Sequence, residues 1–364
     1  MMRVGIFGMS KELQTPYFVL HKEKLQKNLS SLQNLEALEN VHILHTLKSF
    51  NQDSVLPLIS SKLSGMSITT KNELKMAEDA SAKYIHLYAP AFKEHELLSM
   101  LFAVQSVSFN SLGQWGRFKN LKGSASKGLR INPKLSLTIP SHCNPNLEYS
   151  RLGIDTLEFL EAFKNNPKEF KNLEGLHFHA LFQSSVEDLI LLLDYILKHY
   201  KEILPKLLWL NLGGGHRFTD FDYDIDTFVN QVLKFQELFP NITFYFEPGG
   251  AVTKDCGEFV CTILDIVNVS GQKVVILDTS VETHLLDVAI VQMNLKVKDT
   301  EKESTPYCYE LTGNSCLQGD IIGKYFFNRE LHIGNSVIFE DMMPYSMVKM
   351  TEFNGMERAK FYIE

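Results

Sequence analysis

The sequence predicts an α/β fold in which an eight-stranded TIM-type (β/α)8 barrel is joined to a C-terminal β-barrel or β-sandwich domain. Three observations lead to this prediction. Eight short β-rich runs alternate with helical patterns over the first two thirds of the chain, which is typical of parallel βαβ units. The remaining third is β-rich with few helical patterns. The length of 364 residues accommodates a barrel of about 250 residues and a second domain.

Each barrel strand is predicted from a short apolar run that a helical pattern or a loop follows. The eight runs lie at residues 41–48, 65–70, 84–90, 104–110, 127–133, 174–180, 206–215 and 242–250. Helical patterns lie at about 51–62, from Lys71 onward, and at about 93–103, 111–121, 156–166, 185–201 and 226–238. An open doubly wound sheet shows the same alternation, but eight units fit a closed barrel better.

The second domain is predicted from six β-rich runs in the last third of the chain. They lie at residues 259–269, 272–280, 307–313, 334–340, 346–350 and 359–364. A further strand at 16–20 precedes the barrel, and we expect the segment of about 15–22 to join this domain. The predicted boundaries are therefore 23–255 for the barrel and 256–364 for the C-terminal domain.

Composition argues against several classes of function. The net charge is −7 and no basic patch stands out, so nucleic acid is not an expected partner. No apolar run approaches membrane-spanning length, and the stretch at residues 1–9 is too short for a signal peptide. The five cysteines form no CxxC pair, which argues against a disulfide framework or a zinc site. We expect a cytoplasmic protein without a membrane partner.

Polar or glycine-rich segments end four of the predicted barrel strands. Lys48 ends the first strand, and His177 and His179 end the sixth. The seventh ends in Gly213–Gly215 and the eighth in Glu247–Gly250. Active sites of such barrels lie at the carboxyl ends of the strands. The four segments are therefore candidate parts of one site.

Lys48 and Glu247 indicate covalent chemistry on a ring cofactor. A lysine at the end of an apolar strand is costly to bury unless it is paired or used covalently, and its amine can form a Schiff base with a carbonyl. A carboxylate such as Glu247 can keep a pyridine nitrogen protonated, which makes the ring an electron sink. The alternatives are a lysine that reaches out to the barrel rim and a surface ion pair.

The glycines and histidines suggest how such a cofactor is held. Consecutive glycines let the backbone approach an anion and direct N–H groups at it, and the loops after strands seven and eight form the usual phosphate site of barrels. A plain flexible turn is the alternative. His179 can stack on a flat ring. The pair His177 and His179 also fits metal ligation, but no third or fourth ligand is evident, so no metal is predicted.

Further candidates lie in the C-terminal domain. The segment GNSCLQGD at 313–320 places Cys316 and Asp320 in a glycine-flanked loop, where a thiol can donate a proton and a carboxylate can bind an amine. Tyr345 is a candidate contact for a phosphate or a ring. A polar cluster between apolar runs, which could equally be a solvated surface, contains Asp278, Glu282, His284 and Asp287.

The order of these motifs resembles the fold-type III pyridoxal 5'-phosphate (PLP) decarboxylases, which include ornithine, arginine and diaminopimelate decarboxylases with an alanine racemase-like barrel. The matching features are a lysine in the first strand, FH ending the sixth, GGG after the seventh, EPG after the eighth, then GxxCxxxD and a late tyrosine. The resemblance extends from about Thr15 to the end of the chain.

Within this family the details are similar to the carboxynorspermidine/carboxyspermidine decarboxylases. HTLKSF at 45–50 differs from the more usual YALKAN type, and Leu317 and Gln318 stand where diaminopimelate decarboxylases have a glutamate. Gly250 stands where other members have an arginine, which is a forked binder of carboxylate or phosphate. LDTSVETHLLDV at 277–288 is also similar. The resemblance implies decarboxylation of carboxyspermidine or carboxynorspermidine in polyamine biosynthesis.

The resemblance also implies roles for individual residues. Lys48 is expected to bind PLP covalently and act in catalysis, His179 to stack on the ring, and Glu247 to pair with the pyridine nitrogen. Cys316 or a neighbouring acid is the expected catalytic proton donor, and Cys316 and Asp320 are expected to reach the neighbouring active site of a homodimer. The expected contacts of the phosphate are Gly213, Gly214, Gly215, Gly249, Gly250 and Tyr345. The expected partners of the amines of a carboxylated polyamine are Asp320, Asp278, Glu282 and Asp287. Basic positions lining related barrels match Arg130 and Arg151.

Four alternative functions follow from the same residues. Diaminopimelate decarboxylase, or another basic amino-acid decarboxylase, has the same chemistry, but diaminopimelate needs a basic residue for its second carboxylate. A racemase retains the carboxylate and uses two opposed bases. A non-enzymatic PLP-binding protein resembles the barrel alone, and a barrel hydrolase requires a metal. Carboxyspermidine and carboxynorspermidine differ by one methylene, which a sequence does not distinguish.

Overall fold

The computed structural model describes residues 13–137, 140 and 143–364. It divides into two compact units. The barrel unit is Lys27–Val252, and the sheet unit consists of the described part of Met1–Gln26 together with Thr253–Glu364. The stretch at residues 1–9 that was weighed as a signal peptide lies outside the described residues.

The strands are short in the barrel unit and longer in the sheet unit. In chain order they are β1 (Tyr17–Leu20), β2 (Val41–Thr46), β3 (Gly65–Ile68), β4 (Ile85–Tyr88), β5 (Ser106–Phe109), β6 (Ser126–Asn132), β7 (Ile154–Asp155), β8 (Gly175–His177), β9 (Trp209–Asn211), β10 (Thr243–Phe246), β11 (Gly257–Val269), β12 (Gln272–Leu277), β13 (Lys296–Val297), β14 (Thr300–Glu301), β15 (Tyr307–Thr312), β16 (Ile321–Phe327), β17 (Ser336–Glu340) and β18 (Lys360–Ile363).

Apart from the first helix, the long helices follow strands of the barrel unit. The helices are α1 (Lys22–Leu35), α2 (Leu56–Lys62), α3 (Lys71–Asp79), α4 (Glu94–Met100), α5 (Leu112–Phe118), α6 (Thr156–Asn165), α7 (Val186–Tyr200), α8 (Ile225–Leu238), α9 (Gly250–Thr253), α10 (Val281–His284) and α11 (Leu286–Ile290). Among the residues that the structure describes, no helix is long and apolar enough to cross a membrane.

Eight parallel strands close into a barrel, as the alternating pattern predicted. The order around the sheet is β2-β3-β4-β5-β6-β8-β9-β10, and β10 pairs with β2. Each strand lies within one residue of its predicted run, but most are shorter than predicted. As a result, Lys48 and His179 lie two residues beyond β2 and β8. The candidate residues therefore belong to the loops at the carboxyl ends, where the backbone no longer follows the sheet.

Local side-chain bonds fix where the helices begin. Thr70 accepts a hydrogen bond from the backbone N–H of Glu73 (3.2 Å), and the Glu73 carboxylate accepts one from the N–H of Thr70 (3.3 Å). This capping box satisfies N–H groups that a helix start leaves unpaired, and it places the start of α3 at Lys71 as predicted. Ser111 caps α5 in the same way, accepting from the N–H of Gln114 (3.1 Å).

Aromatic side chains fill the interior near the amino ends of the barrel strands. Trp209, the first residue of β9, is buried with Leu44 and Tyr245. Its indole N–H donates to the Ser126 hydroxyl at 2.7 Å, so the buried polar atom is satisfied. This packing fills part of the barrel interior with apolar and aromatic side chains.

The sheet unit contains a nine-stranded mixed sheet. Its main path is β13-β17-β11-β12-β15-β16-β14, and β1 pairs antiparallel with β11 and parallel with β18. The predicted strand at 346–350 was wrong, because Met347–Lys349 forms a 3-10 turn. Tyr345 just before it has φ +63°, a left-handed conformation that interrupts an extended chain.

Candidate active site

The side chain of Lys48 lines a cavity at the carboxyl ends of the barrel strands. It lies in a turn after β2 that Ser49 tightens, because both the N–H and the hydroxyl of Ser49 donate to the Thr46 carbonyl (3.0 and 2.7 Å). The side chain is accessible from the cavity, yet protein surrounds its amine. That desolvation, followed by the charge of Arg130, lowers the pKa of Lys48, while Glu247 and Glu73 act in the opposite direction. A lowered pKa makes the neutral, nucleophilic amine more available.

The cavity has a volume of about 530 Å³, which is within the usual range for small-molecule sites. Strand-end residues and the segment after β6 form its walls. The lining residues are Lys48, Arg130, Cys143, Asn144, Pro145, Leu147, Tyr149, Ser150, Arg151, Leu152, His179, Leu181 and Phe182.

His179 presents a neutral imidazole to this cavity. The backbone N–H of Gly214 donates to its Nδ1 at 3.0 Å, so the ring proton of the neutral form lies on Nε2. Burial, then the charges of Lys48 and Arg130, lower its pKa well below the usual value. The ring orientation and the tautomer are therefore fixed by the loop after β9. A neutral flat ring of this kind suits stacking on an aromatic ligand.

Glu247, directly after β10, is held by the neighbouring strand. Its carboxylate is 3% exposed and accepts a hydrogen bond from the Asn211 amide at 2.6 Å. Asn211 also accepts from the Gly213 N–H (2.8 Å), and the Gly213 carbonyl accepts from the Glu247 N–H (2.7 Å). Asn211 thus couples the carboxylate to the glycine loop. Sequence reasoning missed this residue, although an asparagine at the end of the apolar run LLWLN was a usable signal.

Arg130 places a buried positive charge beside these groups. It is 5% exposed, its guanidinium carbon lies 4.5 Å from the centroid of the Tyr88 ring, and it donates to the His179 carbonyl at 3.5 Å. Its Nε atom has no hydrogen-bond partner among the described residues, and neither ring nitrogen of His177 has one. Buried polar atoms without partners are rare in proteins, and they are typical of a site that holds a polar ligand.

A metal could in principle use three of these side chains. His177, His179 and Glu247 offer ligand atoms within 4.8 Å of one another, so the structure supplies the third ligand that the sequence did not reveal. The charges of Lys48 and Arg130 act on both histidines, however, and would repel a cation. The same positive field favours an anionic ligand, so we do not assign a metal to this cluster.

The glycine triplet contributes fewer free N–H groups than expected. The N–H of Gly213 donates to Asn211 and that of Gly214 donates to His179. Of the three, only the N–H of Gly215 has no protein acceptor among the described residues. Gly215 has φ +93°, which a residue with a side chain rarely adopts. Gly249 and Gly250 follow β10, which pairs with β9, so both glycine segments follow adjacent strands.

We expect the substitution Gly214→Ala to weaken the binding of an anionic cofactor by at least about tenfold. An added Cβ would overlap the Glu247 carbonyl oxygen and lie 3.3 Å from His179 Cε1, so both groups must move. Cofactor titration followed by absorbance measures the affinity. Gly116→Ala is the matched control, because its Cβ would meet nothing within 4 Å and alanine is favoured inside a helix. Equal affinities in the two variants would contradict this role of the loop.

The candidate acids of the sheet unit have partners within that unit. Asp278 accepts from the Thr15 hydroxyl (2.6 Å) and the Thr262 N–H (2.8 Å), and burial raises its pKa. Two backbone N–H groups donate to Asp320, those of Val281 (2.7 Å) and Ser315 (2.9 Å).

Two further acids in this unit differ in their pairing. Asp287 forms an ion pair with Lys349. The carboxylate of Glu282 has no hydrogen bond or ion pair with another described residue, and the side chain is half-buried. Of the four predicted amine-binding acids, Glu282 is therefore the one whose carboxylate has no partner among the described residues.

Cys316 and Tyr345 differ in accessibility. Cys316 is exposed in the loop between β15 and β16, where a thiol is accessible to a reactant. Tyr345 lies with its ring under the ammonium of Lys349, 5.3 Å from the centroid. Burial, followed by the negative charge of Asp287, raises the pKa of Tyr345 to about 12. Tyr345 therefore remains a hydrogen-bond donor at neutral pH.

Residues 32–343 match the family described as "Pyridoxal-dependent decarboxylase, C-terminal sheet domain". A carboxynorspermidine/carboxyspermidine decarboxylase from Campylobacter jejuni is 33% identical, covering 95% of this chain and 91% of its own. A carboxyaminopropylagmatine decarboxylase from Synechocystis is 35% identical, covering 94% and 88%. The crystal structure of carboxynorspermidine decarboxylase from C. jejuni in complex with norspermidine has a TM-score of 0.88 at 31% identity, covering 96% of this chain and 94% of that chain.

Proposed function

This chain belongs to the pyridoxal-dependent decarboxylase family, and we propose that it removes CO2 from carboxynorspermidine or carboxyspermidine in polyamine biosynthesis. The observation that carries the proposal is full-length similarity, 33% identity over 95% of the chain, to a decarboxylase named for these two substrates. The cavity supports it, because a lysine, a neutral imidazole and a carboxylate lie at the strand ends where a PLP enzyme needs them.

The residues of the barrel unit fit PLP as the cofactor. The Lys48 amine would bind its aldehyde carbon, the face of His179 would cover its ring, and Glu247 would pair with the pyridine nitrogen. The phosphate would be bound by Gly215, Gly249 and Gly250, with Gly213 and Gly214 shaping the loop. When bound, PLP supplies an electron sink for the electron pair that remains when CO2 leaves.

The side chains around the cavity are proposed to stabilise negative charge and to transfer protons. Arg130 keeps the site positive, which favours the phosphate and the substrate carboxylate before it leaves as CO2. The breaking bond joins the α-carbon to the carboxyl carbon, and a proton must replace the carboxyl group on the α-carbon. Cys316, with its exposed thiol, is the proposed donor of that proton. On release of the product, Lys48 would bind the cofactor again, and its amine would give up the protons that the departing product amine takes up.

The four candidate acids are proposed to bind the amines of the substrate. A carboxylated triamine carries amines that are cationic at neutral pH. Glu282 is the strongest candidate to bind one, because its carboxylate has no partner among the described residues. Asp320, Asp278 and Asp287 remain candidates, but each would have to share its carboxylate with the donors or cation that it already binds. Tyr345 is proposed to contact the phosphate as a neutral donor.

We further propose a cytoplasmic homodimer in which Cys316 and Asp320 reach the site of the partner subunit. The exposed position of Cys316 supports the shared site, since a catalytic thiol needs a covering surface. No disulfide joins any of the five cysteines, all of which the structure describes, and this fits a reducing compartment. Light scattering after size-exclusion chromatography measures the subunit number.

A second substrate has its own support. The relative from Synechocystis, at 35% identity, is named for carboxyaminopropylagmatine, whose distal end carries a guanidine in place of an amine. A planar guanidinium is bound best by both oxygens of one carboxylate, whereas a single oxygen is enough to bind an ammonium. The two substrates share the carboxylated end, so the barrel-unit residues would act on both in the same way.

The test is CO2 release by the PLP-loaded enzyme from a panel of substrates. The panel contains carboxyspermidine, carboxynorspermidine, carboxyaminopropylagmatine, meso-diaminopimelate and ornithine. We expect kcat/KM to be highest for one of the two carboxylated triamines. Preference for carboxyaminopropylagmatine would select the second substrate, and preference for diaminopimelate or ornithine would refute the polyamine assignment. Racemisation without CO2 release would refute decarboxylation itself.

A further inference from the structure

Inside the barrel, next to Glu247, four side chains form a hydrogen-bonded chain. Its members are Tyr84, Ser106, His86 and Ser108. Its centre is His86 on β4, which is 1% exposed, and Ser106 and Ser108 on β5 flank the imidazole, both with no exposed surface. The two serines are two residues apart on one strand, so both point to the barrel interior. Polar side chains at such depth are costly unless they are all bonded, and this chain is fully bonded.

From Tyr84 to His86, each hydroxyl donates its proton to the next group in the chain. The Tyr84 hydroxyl donates to the Ser106 oxygen at 2.8 Å, so the single hydroxyl proton of Ser106 is available for His86 Nδ1 at 2.6 Å. His86 Nδ1 is then an acceptor, and the proton of the neutral ring lies on Nε2. Burial lowers the pKa of His86, so the neutral form is the relevant one. Desolvation raises the pKa of Tyr84, and its hydroxyl keeps its proton at working pH.

His86 Nε2 also lies near the active-site carboxylate. Nε2 lies 3.1 Å from the Ser108 oxygen and 3.9 Å from Glu247 Oε1. The second distance is too long for a hydrogen bond but short enough for a dipole to act on a charge, and buried surroundings strengthen that interaction. The opposite tautomer would direct a lone pair at the carboxylate. The position of one proton on His86 therefore decides whether the imidazole stabilises or destabilises the negative charge.

We infer that His86 is a positioning residue for Glu247, and that Ser106 and Tyr84 hold it as the Nε2–H tautomer that favours the ionised carboxylate. The inference rests on the proposed function, in which Glu247 pairs with the pyridine nitrogen of PLP. The chain begins at a second cavity of about 280 Å³, which Tyr84 lines together with His42 and Tyr245. The tautomer next to the catalytic site is thus set from the opposite end of the barrel.

Other charged or titratable groups also act on Glu247 and must be held constant in a test. His177 Nε2 lies 3.9 Å from Oε2, and its own pKa is lowered well below normal by burial and by the positive groups around it, so it stays neutral. The remaining groups that interact with Glu247 electrostatically are Lys48, Tyr84, Tyr88 and Arg130. Ser106→Ala also removes the acceptor of the Tyr84 hydroxyl, so Tyr84→Phe is measured beside it. Among the described residues, the side-chain hydrogen bonds of the two serines join them to Tyr84 and His86, so neither change breaks a bond of Lys48, Tyr88 or Arg130.

The two serines provide a matched pair of substitutions in the PLP-loaded enzyme. Ser106→Ala removes the donor to His86 Nδ1, whereas Ser108→Ala removes a hydroxyl from the same ring and the same strand but leaves that donor in place. Nitrogen-15 NMR of labelled histidines, assigned with His86→Gln, reports the tautomer without turnover. The pH profile of kcat is the second readout, because a merely structural role of the serine would leave its acid limb in place.

We expect wild type and Ser108→Ala to show the Nε2–H tautomer and the same acid limb of the profile. Ser106→Ala should gain the Nδ1–H tautomer and shift its acid limb upward by about one pH unit. Tyr84→Phe should do the same to a smaller extent, and serves if Ser106→Ala fails to fold. An Nδ1–H tautomer in wild type, or equal shifts in both serine variants, would overturn the inference. Lack of turnover in wild type would count against the proposed function instead, because the NMR measurement decides the tautomer by itself.

Discussion

Replacement of Lys48 by alanine is expected to lower kcat by at least about 10³-fold and to abolish the absorption band that a lysine-bound cofactor gives. Among the described residues that line the 530 Å³ cavity, Lys48 is the only lysine. The lowered pKa of its amine supplies the neutral form that attacks a carbonyl carbon. Stopped assays of CO2 release and an absorption spectrum of the same sample measure both effects.

Lys71→Ala is the control for the Lys48 substitution. Lys71 is exposed at the first residue of α3, where a positive charge gains nothing from the helix dipole, so its removal should leave kcat and the spectrum unchanged. A Lys48→Ala enzyme that retained the wild-type spectrum would place the covalent bond on another amine.

Glu247→Gln is expected to lower kcat by about 10²- to 10³-fold while the protein still binds PLP. The amide is nearly isosteric with the carboxylate and can still accept the hydrogen bond from Asn211, so the loop after β9 keeps its support. What is lost is the negative charge that is proposed to keep the pyridine nitrogen protonated. Steady-state kinetics together with a cofactor titration separate the loss in kcat from any loss in affinity.

Glu247→Asp is the companion variant, because it keeps the charge and shortens the side chain by one methylene. It should retain more activity than Glu247→Gln. Equal losses in the two variants would mean that the position of the group matters and its charge does not. A Glu247→Gln enzyme with wild-type kcat would remove Glu247 from the mechanism.

The barrel was predictable because its signals are local. Each of the eight strands produces an apolar run, and the start of α3 has a capping box within four residues of sequence. The strand at 346–350 failed because an apolar run of five residues does not show the left-handed φ of Tyr345. Strand β16 at Ile321–Phe327 was missed for the opposite reason, since the glycines at its start resemble a loop.

The candidate site residues that could be predicted are those that follow the barrel strands. Lys48, His179 and Glu247 follow strands whose carboxyl ends meet, so topology alone places them together. Asn211 and His86 were missed because their contribution depends on which atom bonds to which across neighbouring strands, and a sequence carries no such information. The amides of Gly213 and Gly214 illustrate the same limit, because a GGG motif does not show that two of its donors are committed to Asn211 and His179.

The candidate acids of the sheet unit were the least predictable of the proposed residues. The sequence places Asp278 in a polar cluster, which predicted a binding surface. In the structure, Asp278 accepts hydrogen bonds from Thr15 and Thr262, which are distant in sequence. Glu282, four residues later, has no such partner among the described residues. Only three-dimensional pairing distinguishes a carboxylate that stabilises the fold from one that is available to a ligand.

The central claim is that Lys48 carries the cofactor, and chemical trapping tests it most directly. Borohydride reduces the carbon–nitrogen double bond between PLP and an amine to a stable single bond, so the modified residue survives proteolysis. Mass spectrometry of the digested enzyme should find the pyridoxyl phosphate group on the peptide that contains Lys48. A fully modified peptide with any other lysine, and an unmodified Lys48, would contradict the account.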